Sequence, residues 1–259
     1  MSQFLPLIKK GVKNMNINTD YTIIPPYAVM LLLACVSGLA LQYALNIIRG
    51  ADKTVSSFIT ILSPMLIFFF ASLLTLASSG GTKRGLSSMG GLFGMYASVF
   101  ILAAIKRDRH TTKITLENCT VVLPLIYSIS KMGCCFAGCC HGIPYHGAFC
   151  VSYSGKVTES GCLFPVQFAE VFTFFIIFII GMIMLRRNSK ITTISILIAS
   201  ATAKGLLDFL RESHIGKIIS LNQILCLIFI AAGIIYTVVT KRAGENKTVI
   251  SSPAISKPF

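Results

Sequence analysis

Long apolar runs separated by short polar stretches set the pattern of this chain. Seven runs stand out, at residues 26–47, 55–78, 89–105, 114–131, 165–185, 191–210 and 219–240. Most approach the roughly 20 residues that a helix needs to cross the hydrocarbon core of a bilayer. The pattern therefore predicts an all-α, polytopic membrane protein with about seven transmembrane helices. The fourth run differs from the others. It carries Glu117, Asn118 and Pro124, which points to a tilted, broken or cavity-facing segment. No internal repeat and no nucleotide-binding loop interrupts the series, so residues 26–240 read as one membrane domain.

Flanking segments complete the organisation. Residues 1–25 read as an N-terminal tail, in which Phe4, Leu5, Leu7, Ile8 and Val12 lie among Lys9, Lys10 and Lys13. That mixture suits a short interfacial helix or a plain disordered tail. It does not suit a secretory signal peptide, because the cations follow the apolar patch rather than precede it. Residues 241–259 are polar, with Ser, Pro and Lys, and read as a flexible tail.

Charge sets the orientation. Lys and Arg accumulate in the loops at 48–54, 106–113 and 186–190 and in the C-terminal tail, more than on the opposite side. Such a bias marks the cytoplasmic side. The expectation is an N-terminus outside and a C-terminus in the cytoplasm. Only 12% of residues are charged, about half the globular norm, which again favours a membrane class. The net charge of +14 needs no nucleic acid, because cations at span ends meet anionic lipid head groups.

Three unusual segments then fall on the outer side: residues 78–96, the stretch from Lys131 to Glu170, and residues 204–223. The second holds six cysteines, His141, His146 and a Gly/Pro framework, with a Cys-rich outer loop at 133–164. Gly and Pro leave backbone groups that need partners, and a membrane protein tolerates this where the chain is buried or lines a wet cavity. Lys204, Asp208 and Arg211 share one helix face by spacing, as either a salt bridge at a span end or a phosphate grip. Glu170 and Gln167 follow Pro165 at the start of a span, and a carboxylate buried there needs a partner. Gly90, Gly91 and Gly94 have the spacing of close helix packing, and glycines also let a substrate approach backbone N–H groups. The cysteines admit disulfides, tight packing or a metal site. The order CC-x3-CC-H matches zinc spacing poorly, so packing and disulfides rank above metal.

Six blocks in order resemble the prolipoprotein diacylglyceryl transferase family. Tyr27 in IPPYAV matches the family's tyrosine before the first span. SSMGGLFG at 87–94 looks like its Ser-Phe-His-Gly-Gly-Leu-Ile-Gly block. KMGCCFAGCCHG at 131–142 looks like its Arg-Ile-Gly-Asn-Phe-x-Asn-Gly-x-x-x-Gly signature. FPVQFAE resembles Pro-Ser-Gln-Leu-Tyr-Glu, KGLLDFLR resembles Arg-x-x-x-Glu-Phe-x-Arg, and SLNQILCL, which contains Gln223, resembles Ser-Met-Gly-Gln-Ile-Leu-Ser. The resemblance implies seven spans, an outer N-terminus and a bacterial inner-membrane location. It implies transfer of the diacylglyceryl group of phosphatidylglycerol to the lipobox cysteine of a prolipoprotein signal peptide, with no cofactor. Its roles fall on Lys131, Lys204 and His141 as catalytic residues, and on Tyr27, Gly90, Gly91, Gly142, Gln167, Glu170, Asp208, Arg211 and Gln223 as substrate-binding residues.

Departures from the family matter. Lys131 and Lys204 stand where the family has arginines, which keeps the charge but loses the bidentate fork. Asp208 stands where the family usually has Glu, and Cys134 replaces the signature Asn. The family's histidine is Met89, which cannot move a proton, leaving His141 or His146 as substitutes. Alternatives are a related lipid-group transferase with a different acceptor, or a non-catalytic lipid- or metal-binding homologue.

Overall fold

The computed structural model describes residues 15–19, 25–82, 85–147, 149–154, 159–189 and 191–250. The candidate interfacial residues 4–13 and the end of the C-terminal tail, 251–259, lie outside them. Each of the seven apolar runs is helical. α1 spans Pro26–Ile48, α2 Lys53–Ser78, α3 Ser88–Lys106, α4 Arg109–Ala137, α5 Val166–Arg186, α6 Thr192–Asp208 and α7 Leu221–Ile250. The helix starts follow local chemistry. Asp52 accepts from the Val55 N–H, Ser87 from Gly90, and Asp108 from His110 and Thr111, each capping orphan donors of a first turn. Pro26 opens α1, where a missing N–H costs nothing.

Five helices, α1 to α5, are long and apolar enough to cross a membrane. The chain is a multi-pass membrane protein. Large apolar side chains such as Leu32, Phe69, Ile105, Phe172 and Ile228 stand exposed on the helices, as a lipid-facing surface requires. α6 has 17 residues, and the apolar part of α7 covers Leu221–Ile235.

α4 is the most buried of the five and packs against α1 and α5. It is continuous through Pro124, and Thr115, Asn118, Thr120, Ser128 and Lys131 among its polar residues are buried. α2 and α3 approach backbone to backbone. A Cβ on Gly90 would lie 2.2 Å from the Phe70 carbonyl oxygen, and one on Gly94 would lie 2.2 Å from that of Leu66.

The Cys-rich loop holds structure that apolar periodicity did not reveal. β1 (Met15–Asn18) runs parallel to β2 (Val151–Ser154), and β2 pairs antiparallel with β3 (Glu159–Leu163). Val151, Tyr153 and Leu163 bury one face of this small sheet against Ile17 and Phe168. A Cys150–Cys162 disulfide fastens it. The all-α expectation describes the helices, and the three-stranded sheet is an addition built by the Cys-rich loop and the N-terminal strand.

Candidate active site

The site begins with one carboxylate. Pro165 starts α5, and Glu170 follows about a turn inside, fully buried. A bare carboxylate there would be costly to desolvate, so cations gather on it. Lys131, from the last turns of α4, places Nζ 3.0 Å from Glu170 Oε2. Lys204, from α6, places Nζ 2.9 Å from Oε1. Arg211, just after α6, donates from one terminal nitrogen to both oxygens at 3.0 Å. Tyr127 completes the shell. Its hydroxyl donates to Glu170 Oε1 at 2.6 Å and accepts from Lys204 at 2.7 Å. Both lysine ammoniums also lie 5.2 Å from the centre of the Tyr127 ring, within cation–π range.

Asp208 forms the next layer. One oxygen accepts from the Ser220 hydroxyl, and the other lies 3.9 Å from Arg211 Nε. With Asp208 included, three cations face two carboxylates, and one positive charge remains in excess. Donor capacity also remains. Arg211 Nε makes no hydrogen bond, and Lys131, with three donors, contacts Glu170 alone among the described acidic groups.

These groups border a cavity of about 490 Å³ whose wall is mostly apolar. Tyr27, Met89, Gly91, Lys131, Lys204 and Arg211 line it, together with Cys134, Cys139 and Cys140. A few convergent polar groups on an apolar wall are the usual form of a small-molecule site.

The remaining candidates frame this space. Gln167 donates to the Cys139 carbonyl at 3.1 Å and to the Tyr153 hydroxyl at 2.9 Å, which ties α5 to the Cys-rich loop and to β2. Burial pushes the Tyr153 hydroxyl pKa up, so this link stays neutral. Gly142 sits against the chain at Phe164, where a Cβ would meet the carbonyl oxygen at 2.3 Å, and it pairs in a β-bridge with Arg211. Gln223, at the start of α7, bonds the Ser220 N–H, His214 and the Gly205 carbonyl, fixing the turn that carries Arg211 and Ser220. Gly90 serves the α2–α3 contact.

His141 stands apart. It does not line the cavity, and its Nδ1 lies 3.4 Å from Glu212. His146 is likewise outside the cavity wall. Tyr127 is the functional-looking residue that motif reading missed, while Ser220 stood in the SLNQILCL block without a role of its own. Tyr127 precedes Lys131 by four residues, one turn along the same helix face, and that spacing is the signal that could have found it.

A family model for prolipoprotein diacylglyceryl transferase matches residues 21–239. The chain belongs to the prolipoprotein diacylglyceryl transferase family. A comparison with curated proteins returned no match. Membership makes it a membrane transferase of lipoprotein biosynthesis. The matched span contains every residue of the cluster around Glu170. It also contains Met89, which lies buried against Ala201 and Cys226 on the cavity wall.

Proposed function

We propose that this transferase moves the diacylglyceryl group of phosphatidylglycerol onto the lipobox cysteine thiol of a prolipoprotein signal peptide. The reaction forms a thioether and releases glycerol phosphate. The observation that supports it best is the cluster of three buried cations on Glu170 beside an apolar cavity. A leaving phosphate gains charge as the C–O bond breaks, and preorganised cations in a dry site lower that barrier most. Lys131, Lys204 and Arg211 hold the phosphate in this reading. Glu170 and Asp208 keep the cations charged and aimed while the site is empty. Tyr27, Gly91 and the apolar wall receive the glyceryl group and the first carbons of the lipid. Gly90, Gly142, Gln167 and Gln223 frame the site without touching the reacting atoms. His141 faces Glu212, which favours a role in holding the loop over a role as proton acceptor.

The topology belongs to the same reading. α6 and α7 cross the membrane beside the other five helices, with the N-terminus outside and the C-terminus in the cytoplasm of a bacterial inner membrane. At 1.5 Å per residue α6 measures about 25 Å, close to the roughly 30 Å of a bilayer core. The Glu170 cluster then lies near the outer surface, where a signal peptide emerges.

The test is a transfer assay. Purified protein in detergent is mixed with phosphatidylglycerol and a synthetic lipobox peptide, and peptide mass is followed beside an active family enzyme. A diacylglyceryl gain on the Cys peptide, absent from the Ser peptide, is the expected result. No gain beside an active control would sink the proposed donor–acceptor pair and favour a different acceptor or a non-catalytic lipid-binding role.

A further inference from the structure

The end of α4 gives the Cys-rich loop a purpose that linear spacing hides. Gly138 closes the helix in the left-handed region at φ 63°. Its N–H bonds the Cys135 carbonyl, and the Cys139 N–H bonds the Cys134 carbonyl at 3.2 Å. This pair of bonds is a Schellman closure, which folds the residue after the glycine back against the last turn. Cys139 therefore returns to Cys134. Cys140 follows with φ 58°, a left-handed conformation uncommon outside glycine. Gln167 holds the Cys139 carbonyl from α5. The outcome is three sulfurs, from Cys134, Cys139 and Cys140, all within 4.8 Å of one another on the cavity wall.

Packing alone does not account for this group. Cys139 is half-buried and Cys140 is exposed, while the disulfide of the same loop joins Cys150 to Cys162. Tetrahedral zinc thiolates have Zn–S near 2.3 Å, which sets sulfurs roughly 3.8 Å apart. The three sulfurs lie within 4.8 Å of one another, an upper bound about 1 Å beyond that spacing. Three thiolates around Zn²⁺ carry a net negative charge, and the cations Lys131 and Arg211 line the same cavity wall. Three protein ligands leave a fourth position open, the arrangement of catalytic rather than structural zinc.

We infer that Cys134, Cys139 and Cys140 bind one zinc ion whose open fourth position faces the cavity and takes the acceptor thiol as a thiolate. This rests on the transfer reaction proposed above, and it supplies the thiol activation that Met89 cannot. A thiol bound to zinc is deprotonated outright. The acceptor S–H releases its proton to water on binding. A sulfur lone pair then forms the bond to the glyceryl carbon, and the electron pair of the broken C–O bond leaves with glycerol phosphate. Zinc keeps its charge throughout, and no oxidant or reductant is consumed.

The experiment measures metal and thiol binding apart from turnover. Full-length protein, purified without chelator and supplied with Zn²⁺, should hold about one zinc per chain. The C139S/C140S double variant, which spares the helix residue Cys134, should lose bound zinc at least roughly tenfold while eluting as the same folded species. Equal zinc in the double variant, or a bridge between two of the three thiols in the purified wild type, overturns the inference. Cobalt-substituted protein gives the second readout. Its sulfur-to-cobalt charge-transfer band should grow when a lipobox Cys peptide is added and stay unchanged with the Ser peptide. An unchanged band with both peptides overturns the open position. Zinc and thiol binding without transfer from phosphatidylglycerol would uphold this site and defeat the proposed donor. Transfer by zinc-free protein would do the reverse.

Discussion

Two polar clusters sit near opposite ends of α4, and they are built differently. Near its N-terminal end, Arg49 donates to Glu117 at 2.7 Å and to Asn118 at 2.7 Å, and Asn118 donates to Asn46 at 2.9 Å. One cation meets one carboxylate there, and both side chains are partly exposed. Near the other end, three cations crowd one fully buried carboxylate, with a second carboxylate behind Arg211. The first cluster is balanced and joins α1 to α4. The second carries surplus positive charge beside a cavity. A balanced pair is complete without a ligand, whereas a surplus is suited to an anion that arrives and departs. Charge balance therefore distinguishes the two clusters within a single helix.

Removing Glu170 should break this contrast most severely. Glu170→Gln strands three buried cations, and breaking a buried ion pair costs about 3–5 kcal/mol. Thermal unfolding in detergent should show the loss, and an unchanged midpoint would mean that the cations do not depend on this carboxylate. Next comes Lys204→Ala, which should lower transfer by about 10²–10³-fold while the chain still folds. Full activity in that variant would remove Lys204 from phosphate binding. Helix packing gives a smaller effect. Gly94→Ala should destabilise by about 1–3 kcal/mol, because its new methyl would strike the Leu66 backbone. Gly91→Ala meets only Ile67 at 3.5 Å and should leave the fold intact. Equal destabilisation of the two would place the α2–α3 contact elsewhere. Arg49→Ala should have the smallest effect, about 1 kcal/mol or less on stability, with transfer unchanged. A large loss of transfer would show that the two ends of α4 are coupled.

Much of this architecture was legible from residue pattern. The seven apolar runs are helices, with most boundaries displaced by only a few residues, because apolar length is a local property of the chain. A buried Glu170 demanded a partner, and several were present. What pattern could not supply was the identity of those partners. Spacing offered Lys204 to Asp208 on the same helix, but Lys204 turns to Glu170 on α5, and Asp208 takes Ser220 and Arg211. Tyr127 was hidden in an apolar run because its hydroxyl matters only once α5 and α6 surround it. The cysteine trio was hidden for a related reason. Ligand spacing is usually judged along the chain, and a Schellman turn makes residues five apart into neighbours.

The bridge between Gly142 and Arg211 couples the Cys-rich loop to the segment after α6. The Ile143 N–H bonds the Leu210 carbonyl, the Glu212 N–H bonds His141, and the Phe164 N–H bonds Ile143. The loop after Cys140 and the segment that carries the Arg211 guanidinium to the cavity wall are thus joined by backbone hydrogen bonds. A displacement of this loop would therefore pull on Arg211 and on its bonds to Glu170, so loop position and charge cluster move together.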